Sequence, residues 1–102
     1  MAEVLTIEEL RERIDVIDDQ LVRLLNVRVA CAVEIGRLKH DQGLPIYQPE
    51  REKQVLTQVH ASAVALAGPL NADAVVRIFE RVMDEARRAE RRAADGLSRE
   101  PS

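Results

Sequence analysis

Between Thr6 and Gly43 the chain has no proline and a single glycine, Gly36, and its apolar residues keep one register throughout. Ile7, Leu10, Ile14, Ile17, Leu21 and Leu24 follow one another at alternating steps of three and four, and the same steps continue onto Arg28, Cys31, Ile35 and Leu38. That spacing predicts one helix from about residue 6 to about 40 with a heptad-type apolar seam. Thr6-Ile7-Glu8-Glu9 reads as a capping box at its start. At ~1.5 Å per residue the helix is roughly 50 Å long. A compact globule of 102 residues has a radius of gyration near ~13 Å and is only ~25–30 Å across. Two shorter helices cannot cover a rod of that length. The seam therefore predicts pairing with a second chain, against the plainer alternative of a monomeric bundle broken near Gly36.

The rest of the chain reads as two further helices. Gly43-Leu44-Pro45 ends the first, and Pro49 opens a second over about 49–66, at a position that tolerates a missing N–H. Its apolar side is Val55, Leu56, Val59, Ala63 and Leu66. Gly68-Pro69 breaks the chain, and Asn71 caps a third helix over about 72–94 with a stripe of Val75, Ile78, Phe79, Val82, Ala86 and Ala93. Residues 1–95 form one domain, and 96–102 read as a frayed polar tail. The expected fold class is all-α, three helices per chain in an intertwined homodimer.

Composition removes most functional classes. The formal net charge is −3, the wrong balance for a protein whose main partner is nucleic acid. No apolar run approaches the ~20 residues needed to span a bilayer. The first residues lack a basic segment followed by an apolar one, so no secretory signal is expected. Cys31 is alone, which excludes a disulfide scaffold and suits a reducing cytoplasm. His40 and His60 have no Cys, His or Asp at ligand spacing, so no metal is expected and both read as surface histidines. There is no glycine-rich phosphate loop, and Ser62 and Ser98 have no histidine at nucleophile spacing. What is left is charge-based stabilisation of a small anion.

The candidates for that chemistry are charges where apolar residues belong. Arg13, Arg23, Arg37, Arg87, Arg88, Arg91 and Arg92 lie off the stripes and read as solvated. Arg28 sits in the seam between Leu21 and Ile35, where an unpaired guanidinium would cost several kcal/mol. Lys39, eleven residues on, is about 20° around the helix and ~16 Å along it. Arg51 and Glu52 fall in the first turn of the second helix, and Glu90 lies among alanines on the third. Two readings stay open: a salt-bridge network joining Arg28 to Glu52 or Glu90, and a pocket for a dianion lined by all five.

The pattern Leu10-Arg11, Ile14, Ile17-Asp18, Leu21, Leu24-Leu25 and Arg28, followed by Ile35-Gly36, Lys39, Pro45 and Pro49-Glu50-Arg51-Glu52, resembles the all-helical AroQ type of chorismate mutase over residues 7–93. The resemblance implies an interlocked dimer that rearranges chorismate to prephenate in aromatic amino acid biosynthesis, with no cofactor and each first helix serving two sites. It assigns Arg28, Lys39, Arg51 and Glu52 to one chain and Arg11 to its partner. Helix geometry agrees on the split, because Arg11 is ~25 Å from Arg28 along one helix. By resemblance, Arg11, Arg28 and Arg51 hold the carboxylates, Lys39 donates to the ether oxygen and Glu52 accepts from the ring hydroxyl. The Gln48 backbone N–H serves that hydroxyl where some members carry Asp. Two positions depart from the pattern: Ala86 stands where the family often has Ser, and Glu90 where Gln commonly donates to the ether oxygen. An ionised Glu only accepts, so Glu90 is expected to act neutral; burial raises its pKa while Lys39 lowers it. An isochorismate pyruvate lyase or aminodeoxychorismate mutase on the same fold, and a non-catalytic regulatory dimer, are the rival readings.

Overall fold

The computed structural model describes residues 4–45 and 47–99, the last three as backbone only. It contains three helices, α1 (Ile7–Asp41), α2 (Pro49–Leu66) and α3 (Ala72–Arg99).

Each end has a local cause. The Thr6 hydroxyl accepts from the Glu9 N–H at 3.1 Å, Glu8 and Glu9 lie in the first turn of α1, and Lys39 and His40 in its last, which complements the helix dipole. Gly36 does not interrupt the 35-residue helix. Gly43 adopts φ 70°, which lets its N–H reach the His40 carbonyl and the Leu44 N–H reach that of Lys39. Gln48 precedes Pro49, and its carbonyl accepts from the N–H groups of Arg51 and Glu52. The Asn71 side chain accepts from the Ala74 N–H at 2.8 Å to start α3.

The second helix ends at Leu66, as expected, and only the end of the third differs. The left-handed residue that closes α2 is Ala67, φ 53°, just before Gly68-Pro69. Pro69 pushes the residue before it toward extended backbone, so the left-handed cap falls one position earlier. The third helix runs to Arg99 instead of stopping near 94. Gly96 is not left-handed, and an isolated right-handed glycine weakens a helix without ending it. Of the expected tail 96–102, residues 100–102 lie outside the described residues.

The third helix lies between the other two; α1 and α2 do not touch among the described residues. An element with two neighbours buries two stripes. Along α3, Val75, Phe79, Val82, Ala86, Glu90 and Ala93 form one half-buried side, with Val76, Met83 and Arg87 beside it. Met83 and Ala86 are the buried core, at 7% and 4% exposure. Met83 belongs to the second stripe and was not among the expected core residues, whereas the expected Ile78 is exposed. On α2 the packed residues are Glu52, Val55, Leu56, Val59 and Ala63. Leu66 is 81% exposed, because residues 67–71 of the turn are exposed themselves and cover nothing.

The first helix departs most from compactness. Its carboxy-terminal half meets α3 through Arg28, Val29, Ala32, Val33, Gly36 and Lys39, a face about 100° around the helix from the seam residues Cys31, Ile35 and Leu38. Those three are exposed, so the seam expected to face a second chain is not covered within this one. The amino-terminal half, from Ile7 to Val27, is exposed on every side. The chain measures 65 × 30 × 17 Å with a radius of gyration of 18.1 Å, well above the ~13 Å of a compact chain this size.

Candidate functional site

Arg28 and Lys39 mark the boundary between the two faces of α1. Both are half-buried and lie on the edge of the face that meets α3, with the open seam on their other side. The Arg28 guanidinium sits over the Phe79 ring, 5.8 Å from its centroid, a cation–π contact that shields the charge without neutralising it. Arg28 is therefore not part of a salt-bridge network with Glu52 or Glu90.

Glu90 leans against the first helix at Gly36. A Cβ built on Gly36 would lie 3.6 Å from the Glu90 Cγ and Oε2, an ordinary van der Waals distance, so the carboxyl lies against this turn of α1. Burial pushes the Glu90 carboxyl above its ordinary 4.5, and the charges of Lys39, Arg87 and Arg91 pull it back only in part. The sequence left that contest open; in the fold, burial wins. Ala86, one turn before Glu90, is buried and supplies only a methyl group to this surface.

From α2 comes Glu52, half-buried beside Leu56 and Met83. Its Oε1 accepts from the Arg87 Nη1, and the Arg87 Nη2 pairs with Asp84. Arg87 was expected in solvent; instead it is a bridge between helices. Its position four residues after Met83 and seven after Glu80 places it on the second stripe of α3, which a search for one apolar stripe passes over. The other solvated readings fare differently. Arg23 pairs with Asp19 and Arg88 with Glu85 in exposed contacts within one helix, which contribute little. His60 is exposed, 3.8 Å from Asp73.

The remaining candidates stay apart in the single chain. Arg51 is exposed and donates to the Gln54 Oε1 at 3.2 Å, lining with Gln48 a shallow groove on α2. Arg11 is exposed on the projecting half of α1. Thus Lys39 and Glu90 come together where α1 meets α3, Arg28 lies on the same edge of α1 further toward its start, Ala86 is one turn from Glu90, and Glu52 joins through Arg87.

Such a surface offers fixed cations at the edge of a groove, a carboxyl shifted toward its neutral form and an ionic bridge, with no group of metal-binding residues among those described. The described helices include none long and apolar enough to cross a membrane. The chain as a whole is similar to known proteins. Chorismate mutase from Thermus thermophilus superposes with a TM-score of 0.78 and 31% identity, over 84% of this chain and 94% of that one. The bifunctional chorismate mutase/prephenate dehydratases of Aquifex aeolicus and Neisseria gonorrhoeae are 35% and 41% identical over 76% and 84% of this chain. The chain spans only 22% and 24% of those two relatives. With residues 10–91 matching the family model described as chorismate mutase type II, the chain belongs to that family.

Proposed function

We propose that the chain is an isomerase, a chorismate mutase that converts chorismate to prephenate without a cofactor and works as a homodimer. The observation that carries the reading is the placement of Arg28 and Lys39 on the border between the α3-packed face of α1 and an open apolar seam. A ligand held there has cations on one wall and needs a second wall. The projecting half of α1 offers that wall to a partner: Ile7, Leu10, Ile14, Ile17, Leu21 and Leu24 are all exposed along one stripe, more apolar surface than a monomer leaves uncovered. An antiparallel partner helix would cover the seam and bring Arg11 toward Arg28 and Lys39, which one helix cannot do.

In this rearrangement the ether C–O bond breaks as a C–C bond forms, and no atom enters or leaves. The protein's work is to hold the compact conformer and to stabilise negative charge on the ether oxygen. Arg28, Arg51 and the partner's Arg11 hold the two carboxylates. Lys39 donates to the ether oxygen, joined by Glu90 in its neutral form. Glu52 accepts from the ring hydroxyl, and the Gln48 backbone N–H donates to it.

Loss of chorismate, followed in the ultraviolet from pH 5 to pH 8, tests the proposal. Turnover to prephenate by the parent, with kcat reduced about 10²-fold or more in Arg28→Ala, is the expected result. A folded, dimeric parent inert toward chorismate at every pH would overturn it; turnover of isochorismate would then favour the lyase.

A further inference from the structure

Arg87 has no part in the roles set out above, yet it is the residue through which the α2 carboxylate reaches the rest of the site. Its guanidinium is held at both ends: Nη2 pairs with Asp84 three residues earlier on α3, and Nη1 crosses to Oε1 of Glu52 on α2. The cross-helix pair is sheltered, with side chains 35% and 25% exposed for Arg87 and Glu52. The ion pairs within single helices are more open, as in Arg23–Asp19 at 76% and 64%. A planar guanidinium fixed by one carboxylate presents its other N–H groups in a set direction, so the fork positions the second carboxylate as well as pairing with it. A carboxylate has about four acceptor positions, and accepting from Arg87 leaves Glu52 able to accept from a ligand. One turn further along α3 is Glu90, and Arg87 is among the three cations whose charge acts on it.

We propose that Arg87 is a positioning residue of this site: anchored by Asp84, it fixes the Glu52 carboxylate in place, and it couples that carboxylate to Glu90. The inference deepens the mutase reading and rests on it for the role of Glu52. The groups facing Glu90 are Lys39 from α1 and Arg87 and Arg91 from its own helix, with Glu52 of α2 on the far side of Arg87. Removing Arg87 takes away one charge that favours ionised Glu90. The Glu90 pKa then rises further, and the alkaline limb of activity, where neutral Glu90 is lost, moves to higher pH.

The test is a double-mutant cycle on chorismate turnover with Arg87→Met, Glu52→Gln and the pair, with Arg87→Lys as the conservative variant and Arg88→Met as a charge control. Arg87→Met is expected to lower kcat about tenfold with little change in KM, and to cost nothing further once Glu52 is Gln. Arg87→Lys is expected to restore part of the loss, and Arg88→Met to leave activity unchanged. Carbon-13 NMR of the Glu90 carboxyl provides a readout that needs no substrate, its titration moving to higher pH in Arg87→Met. A kcat loss of equal size in both Glu52 backgrounds, or a lower melting temperature with kcat and the Glu90 titration unmoved, makes Arg87 a brace only and overturns the inference. If the parent does not turn over chorismate, the mutase reading falls and the carboxyl titration still decides: an unmoved Glu90 overturns the coupling.

Discussion

Glu90 shows how one side chain joins stability to chemistry. Its carboxyl is raised above its ordinary 4.5 by burial, so between 4.5 and the raised folded value the folded chain holds a proton that the unfolded chain has released. The stability linked to that proton is complete below 4.5 and is lost as pH rises through the folded value. The proposed role requires the same neutral form, so activity should rise toward acid pH. Glu90→Gln keeps a donor at every pH; its kcat should lose the alkaline decline and its melting temperature should depend less on pH. A variant whose profile overlays the parent's would remove Glu90 from the ether oxygen. At Ala67 the matter is backbone alone: φ 53° suits glycine, and Ala67→Gly should stabilise the chain by about 0.5–1 kcal/mol, read as a raised midpoint in urea.

Among the elements, α1 carries two apolar faces, and only one is used within the chain. The face through Val29, Ala32, Val33 and Gly36 packs on α3, while the seam remains open over the whole helix. If the seam binds a second copy, a charge at Ile17, midway along the exposed half of α1, should break the assembly. Ile17→Asp is expected to weaken dimerisation at least a hundredfold, because burying an unpaired carboxylate costs several kcal/mol. Sedimentation across a dilution series reads this, and an unshifted dimer mass would take Ile17 out of the interface. The three helices and their caps were legible in the sequence because Thr6, Pro49 and Asn71 act through hydrogen bonds and φ preferences within one turn. The face on which α1 meets α3 was not legible. Both faces of its carboxy-terminal half are apolar, and periodicity cannot tell which one a neighbouring helix takes.

At the scale of the whole molecule, the radius of gyration of 18.1 Å reflects a first helix whose amino-terminal half projects beyond the other two. If each site takes Arg11 from the partner, two inactive variants should repair one another. Mixing Arg11→Ala and Arg28→Ala chains under conditions that exchange subunits gives heterodimers with one intact site and one doubly altered site. With random pairing, roughly a quarter of parental activity should return. Failure to recover activity after verified exchange would place Arg11 outside the site or within its own chain's site.

By itself the sequence determined the helices, their order, the excess length of α1 and the placement of Arg28 and Lys39 on one side of it, since each follows from local propensity and a period of 3.6 residues. Only the tertiary structure decided that α3 lies between α1 and α2, that Arg28 stacks on Phe79 and not on a carboxylate, and that Glu52 is held by Arg87. It also decided that desolvation outweighs three nearby cations at Glu90. Those outcomes depend on distances between residues far apart in the chain, where a change of one helical face alters which charges meet and how much water remains around them.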